Sequence, residues 1–369
     1  MKNLDYNHSL LSLSSSILTY FGVKTEHKTL SELDLLLAKN YKNVVVMLFD
    51  GMGTAILEKH LPQGSFLRKH FITTISSVFP PTTTAATTTA ETGLSPIEHG
   101  WLGWSLYFDE VSANVNIYPN TISGTESAPA ADYHIARRYL PYKSVFEKIQ
   151  EATGGKASTF NVSPYSEFKI QSVEQICQTV KDLCKNDGQK YIYTYWPQPD
   201  YDMHDLGTGH KKVTEHLLQI NDMVKQLCQS VQDTLFIITA DHGLIDTEWK
   251  FLEDYPDITN CLKRMPSMET RSMSLFIKPG MKDQFRTAFE KHFGSCYTLL
   301  SKEEVLSLKL FGSGTPHKRS TDFIGDFIAV ATKNIAIDCG QPTDDVFKAA
   351  HAGLTADEMD IPFIAVECI

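Results

Sequence analysis

Residues 43–53 read Asn-Val-Val-Val-Met-Leu-Phe-Asp-Gly-Met-Gly. From Val44 to Phe49 no position is polar, so the run cannot alternate between core and water. It reads as a strand buried on both faces, which requires a sheet with helices on either side. Two further runs of the same kind follow, Lys190 to Trp196 and Thr234 to Ala240, and Ala157 to Asn161 offers a weaker one. Between them lie helical patterns at Ser144 to Glu151 and Val173 to Lys185, and an amphipathic repeat at Val213, Leu217, Ile220, Val224 and Leu227. Strands alternating with helices predict an α/β fold with a mostly parallel central sheet and helices on both faces. Gly51-Met52-Gly53 is too short for a dinucleotide fingerprint, because no third glycine follows at the required spacing.

Working outward, Leu10, Leu13 and Ile17 stand at helical spacing and predict an amphipathic helix rather than a signal peptide. After Ala240 the character changes. A strand at Met273 to Ile277, a helix at Asp283 to Phe293, a short helix from Lys302 and a Gly/Ser loop at Gly312 to Thr315 predict a small α+β cap inserted at residues 256–324. Phe327 to Thr332 and Phe363 to Val366 are expected to return to the main sheet. The catalytic core is then residues 1–255 plus 325–369. Residues 101–142 are irregular and aromatic, with Trp101, Trp104, Tyr107, Phe108, Tyr118 and Tyr133, and serve as a candidate wall of a substrate pocket.

The chain has 369 residues and a net charge of −10, which argues against polymeric nucleic acid or an anionic membrane as partner. No run is long enough to span a membrane. The seven cysteines are scattered, odd in number and without a C-x-x-C pair, which favours free thiols and a reducing, cytoplasmic setting. A small phosphorylated substrate remains compatible with the negative charge if a metal site supplies its own positive field.

Three of the buried strands run into acid, or acid with histidine: Asp50, Asp200 with His204, and Asp241 with His242. A late loop adds His351. Strand ends on one edge of an α/β sheet converge in space. Any one pair could serve a structural hydrogen bond; four such groups together suit zinc, or manganese, better than magnesium or calcium. A second feature stands at Phe79-Pro-Pro-Thr-Thr-Thr-Ala-Ala-Thr-Thr-Thr-Ala-Glu-Thr92-Gly93. The prolines hold an extended segment, and the small residues favour a helix stopped at Gly93. Hydroxyls at its start serve as an N-cap, or meet an anion at the positive end of the helix.

These pieces together resemble the alkaline phosphatase superfamily, in particular its type I phosphodiesterase/nucleotide pyrophosphatase branch. The matching motifs are Asp50-Gly51-Met52, Phe79-Pro80-x-x-Thr83 with Thr92-Gly93 and His99-Gly100, Asp200-x-x-x-His204, Asp241-His242-Gly243 and His351-x-Gly353, in the family's order across residues 44–353. The resemblance implies an alkaline-phosphatase-like core and two divalent metals, zinc by family habit. One would be held by Asp50, Asp241, His242 and the Thr83 hydroxyl, the other by Asp200, His204 and His351. Paired metals of this class stand about 3.5–4 Å apart and clamp the oxygens of an in-line displacement. The implied activity is hydrolysis of phosphate mono- or diesters, nucleotide pyrophosphates included, through a phospho-threonine on Thr83. Phosphonate hydrolysis, a phosphomutase or a metal-binding relative without activity are the alternatives. Thr82 and Thr84 leave the nucleophile's register open by one residue. Where nucleotide-acting members carry an asparagine a few residues on, this chain has Ala86. His317, in Gly314-Thr-Pro-His317, competes with His351; His99 fits the motif in a structural role, and His210 and His216 are bystanders. No motif marks the substrate-binding residues or the oligomeric state.

Overall fold

A computed structural model describes residues 4–125, 128–340 and 346–369; residues 1–3, 126–127 and 341–345 of the expected core lie outside them. Six strands form the central sheet: β1 (Asn43–Phe49), β2 (Phe71–Ser76), β3 (Ala157–Val162), β4 (Gln189–Trp196), β5 (Thr234–Thr239) and β6 (Asp360–Cys368). Their spatial order is β2-β6-β5-β1-β4-β3. β1 lies between β5 and β4, parallel to both, and β3 continues the parallel set, while β6 runs antiparallel to β5 and β2. The central position of β1 explains its unbroken apolar run, since Val44 to Phe49 are all buried. The apolar stripes of helices Val145–Ala152, Val173–Lys185 and Lys211–Cys228 join the same core cluster.

Helix Leu10–Tyr20 forms where the leucine spacing predicts, but it is buried all round rather than amphipathic. Its serines are satisfied inside the core: Ser14 Oγ donates to the Leu10 carbonyl at 3.0 Å, and Ser16 Oγ accepts the Leu30 N–H at 2.8 Å. A hydroxyl that bonds locally can be buried without the cost of an unmet polar group.

A second, antiparallel sheet has seven strands, in spatial order Tyr297–Ser301, Phe327–Ala331, Ser272–Leu275, Ser267–Met268, Ser105–Phe108, Ala113–Asn116 and Thr121–Ile122. It crosses both limits expected of the cap. It takes three short strands from the stretch read as an irregular aromatic loop, and it takes Phe327–Ala331, which was expected in the main sheet. The reason lies in packing. Ile328 and Val330 enter one apolar cluster, with Trp101 and Phe108; Phe327, Ala329 and Ala331 enter another, with Phe285 and Phe289. A strand buried on both faces is continuously apolar in whichever sheet it lies. All seven cysteines are free thiols. Among the described residues, no helix is long and apolar enough to cross a membrane.

Candidate active site

The carboxyl ends of β1, β4 and β5 open on one edge, and the loops that leave them are tied together. The Asp50 N–H donates to the Trp196 carbonyl at 2.9 Å, and the Asp200 N–H donates to the Asp50 carbonyl at 3.1 Å. Gly51 has φ +71, and a Cβ there would stand 2.8 Å from the Asp200 Cβ, so only glycine lets these loops approach so closely. A two-residue antiparallel pairing of Ala349–Ala350 with Ile245–Asp246 brings His351 back to the loop that carries His242.

The result is two groups of three. Asp50, Asp241 and His242 are buried, and their ligand atoms lie within 4.8 Å of one another. Asp200, His204 and His351 meet the same limit and are half-buried. The rings of His242 and His351 stack across the boundary with centroids 3.8 Å apart. His317 joins neither group: its N–H donates to the Ile97 carbonyl, beside Gly100.

In the first group, Asp241 Oδ1 accepts the Gly51 and His242 N–H groups at 3.1 and 3.0 Å. Burial, then the charges of Asp241 and Asp200, push the Asp50 carboxyl well up. Burial likewise raises Asp241, with His242 opposing. In the second group, burial pushes the Asp200 carboxyl up, but the adjoining His204, with His351 and His242, carries it below the usual carboxylate range. Burial pulls His204 down, yet its Asp200 partner, 3.4 Å away, lifts it to about 9. His351 is driven down by burial and by His242.

Four side chains absent from the sequence reading support these groups. The Tyr195 hydroxyl donates to Asp50 Oδ2, and Ser77 Oγ donates to the Asp241 carbonyl. Arg271 Nε and Nη2 donate to Glu358 at 2.7 and 2.8 Å, and Glu358 Oε1 also accepts the Gly353 N–H at 2.7 Å. That buried ion pair pins the loop of His351, where Ala352 takes φ +84. The Tyr195 signal was a hydroxyl near the carboxyl end of a buried strand; the Arg271–Glu358 pairing spans 87 residues and has no local signature.

The threonine stretch forms helix Thr83–Thr92, closed by Gly93 in the left-handed region. Thr87, Thr88 and Thr92 hydroxyls donate to carbonyls one turn earlier at 2.6–2.7 Å, which accommodates so many threonines in a buried helix. The first three threonines diverge. Thr82 Oγ1 donates to Glu269 at 2.7 Å, Thr84 is buried, and Thr83 Oγ1 lies 3.4 Å from Asp50 Oδ2 and 3.3 Å from His242 Nε2. Ala86 is buried in the same helix. Burial pushes the Glu269 carboxyl up to about 7, against the pull of bonds from Thr82 and the Trp104 N–H.

A mostly parallel sheet with acid and histidine at its carboxyl edge, facing a threonine at a helix start, defines an alkaline-phosphatase-like α/β architecture. The chain belongs to the type I phosphodiesterase/nucleotide pyrophosphatase family, whose model matches residues 44–344. Among solved structures it is similar to murine ectonucleotide pyrophosphatase/phosphodiesterase 5, at 20% identity and TM-score 0.63, with 88% of each chain covered. An inactive threonine-to-alanine variant of that murine protein, in complex with AMP, aligns at 19% identity and TM-score 0.62, covering 88% of this chain and 87% of that one. Phosphonoacetate hydrolase from Sinorhizobium meliloti 1021, in complex with phosphonoformate, aligns at 16% identity and TM-score 0.64, covering 88% and 90%. At these identities the likeness concerns the fold. No curated protein gave a significant match.

Proposed function

We propose that the chain hydrolyses phosphate esters with Thr83 as nucleophile and two divalent cations, zinc or manganese, as cofactors. The observation that carries this reading is the placement of Thr83 Oγ1 at a helix N-terminus, between Asp50 and His242. The donor set fits cations. Asp50 Oδ1, Asp200 Oδ1 and Asp241 Oδ2 are buried without a hydrogen-bond partner among the described residues, an expensive arrangement unless positive charge meets them. The three imidazoles agree. Nδ1 of His204, His242 and His351 faces the carbonyl of Ala349, Gly243 and Pro81, respectively, at 2.8, 3.2 and 3.1 Å. A carbonyl only accepts, so each Nδ1 carries a proton and each Nε2 is the atom turned toward a metal; at His204 that nitrogen faces Asp200 and would give up its proton to a bound cation. Asp50, Asp241, His242 and Thr83 would hold one cation, and Asp200, His204 and His351 the other. Bound there, the cations supply the positive charge that makes a threonine oxygen a competent nucleophile and offsets charge on the phosphoryl group.

The chain's own groups do the rest. Asp50 Oδ2 faces the Thr83 hydroxyl and accepts its hydrogen. Unpaired N–H groups of the first turn point at the negative oxygens. Attack of Oγ1 on phosphorus breaks the ester bond and releases the alcohol. Water then cleaves the phospho-threonine and restores Thr83. The inactivity of the murine threonine-to-alanine variant supports an essential threonine. Phosphonate hydrolysis is the second reading, favoured by the likeness to the Sinorhizobium enzyme.

The test is turnover of p-nitrophenyl phosphate, its phenylphosphonate ester, bis(p-nitrophenyl) phosphate and phosphonoacetate, with zinc and with manganese. Hydrolysis of at least one p-nitrophenyl ester is expected, lost in Thr83→Ala. No turnover of any of the four with either metal would sink the proposal.

A further inference from the structure

Helix Asp200–Leu206 carries Asp200 and His204, two members of the second acid–histidine group. It has seven residues, and Pro199 before it offers no side-chain cap. A helix so short does not hold itself in water, so its place is set by packing. Bonds near its ends fix where it lies. The Lys348 N–H donates to the His204 carbonyl at 2.6 Å, and the Thr208 N–H, just past the helix, donates to Asp246 Oδ1 at 2.7 Å. Its roll about its own axis is left to side chains. That roll decides where Asp200 points, because Asp200 Oδ1 has no hydrogen-bond partner among the described residues.

At about 3.6 residues per turn, Asp200 and His204 share one face of this helix and Asp202 points to roughly the opposite one. On that face Asp202 is buried. Its Oδ1 accepts from Lys212 Nζ at 2.9 Å, and its Oδ2 stands 3.4 Å from His216 Nε2. Lys212 and His216 lie one turn apart on helix Lys211–Cys228, whose Val213, Leu217, Ile220 and Val224 are buried in the main core. The short helix is thus tied, on the face away from its ligands, to a long helix fixed in the core. His216, a bystander in the sequence reading, is half of this anchor. An acid in the first turn also suits the helix dipole, but that role is met in solvent and does not call for burial between a lysine and a histidine.

We propose that Asp202 is a positioning residue: through Lys212 and His216 it sets the roll of helix Asp200–Leu206, and so the aim of Asp200 and His204 at their cation. This rests on the two-cation reading above. Asp202 touches neither the cation nor the substrate; it acts only through the helix it turns.

Calorimetric titration of chelator-treated protein with zinc tests it. The binding event weakened in His204→Ala marks the second group. Asp202→Ala should weaken that same event by about tenfold, the low end for a supporting partner, and leave the other event unchanged. Alanine favours a helix more than aspartate does, so the helix itself is not put at risk. Asp202→Asn keeps an oxygen that accepts from Lys212 and should recover most of the loss. Lys212→Met/His216→Gln should reproduce the effect of Asp202→Ala, and adding Asp202→Ala to that pair should cost little more, because all three groups act as one anchor. A thermal melt confirms that each variant is folded. An unchanged second-group event in Asp202→Ala, or equal weakening of both events, overturns the proposal and leaves the two-cation reading standing. A wild type that binds no zinc overturns both.

Discussion

The two acid–histidine groups differ in how they meet their own charge. Asp50, Asp241 and His242 form a deep group with two carboxylates and one imidazole, all buried. Asp200, His204 and His351 form a rim group with one carboxylate and two imidazoles, half-buried. In the rim group, Asp200 and His204 can neutralise each other across 3.4 Å. In the deep group a single imidazole faces two carboxylates, His242 Nε2 standing 3.4 Å from Asp50 Oδ1 and 3.5 Å from Asp241 Oδ2, so one negative charge is left unmatched. Buried charge without a partner is strongly unfavourable. The deep group should therefore hold its cation more tightly, and the rim group should exchange more readily.

The strongest way to break this contrast is Asp241→Asn. The amide oxygen can still accept the Gly51 and His242 N–H groups, so the loop is retained while one negative charge is lost. We expect turnover to fall by roughly a thousandfold or more. Calorimetric titration of chelator-treated protein with zinc should show two binding events in the wild type, the tighter one lost in this variant. Loss of the weaker event instead would reverse the order proposed for the two groups.

Next in size is Arg271→Ala, which attacks the rim group from outside. It leaves Glu358 buried and unpaired, and removing one partner of a buried ion pair costs about 3–5 kcal/mol. Urea unfolding should register that loss. Because Glu358 also holds the Gly353 N–H, the His351 loop should loosen, and the weaker zinc event should suffer while the tighter one survives. Equal loss of both events would mean that the two groups are not independently supported.

This contrast also explains what could be read from the sequence. The deep group was legible because each of its members follows a continuous apolar run: Asp50 after β1, Asp241 and His242 after β5. Strand ends on one sheet edge must converge. His351 follows no such strand; the sequence offered it only as a histidine on a late loop, and the ordered family motifs favoured it over His317. Arg271, Glu358 and Glu269 were illegible, since their partners lie far away in the chain and are chosen by the second sheet. That sheet was itself misread for the same physical reason. Phe327–Ala331 is apolar at every position, and such a strand carries no mark of which sheet it joins. Its short partners at Ser105–Phe108 and Ala113–Asn116 give too few alternations to announce a strand.

A smaller effect is expected from His204→Ala. Its Nε2 is lost to the rim cation, and Asp200 loses its counter-charge. Zinc affinity at the rim should fall at least as far as when a supporting partner is removed, about 10–100-fold. Turnover should fall with it at limiting zinc and recover in part as zinc is raised, whereas Asp241→Asn should not recover. If added zinc restores neither or both, the deep and rim groups behave alike and the distinction fails.

The smallest effect sharpens the contrast within the deep group. Tyr195 lies at the end of β4, and its hydroxyl donates to Asp50 Oδ2, the oxygen that also faces Thr83. Burial and the charge of Asp50 raise the phenol well above its ordinary value, so it stays protonated and can only donate to that oxygen. Tyr195→Phe keeps the ring and removes the donor. Asp50 would then hold its charge with one bond fewer, and its orientation toward a cation would be less fixed. The expected loss is about tenfold in affinity at the deep group, the low end for a supporting hydrogen bond. Rim affinity should not change, because the hydroxyl touches neither Asp200 nor His204. Stability should change little, since one hydrogen bond contributes about 0.5–1.5 kcal/mol. Two-event calorimetry on this variant separates the outcomes. A shift confined to the tighter event supports a deep group tuned from β4, and a shift in the weaker event would show that the two groups are coupled through the stacked rings of His242 and His351.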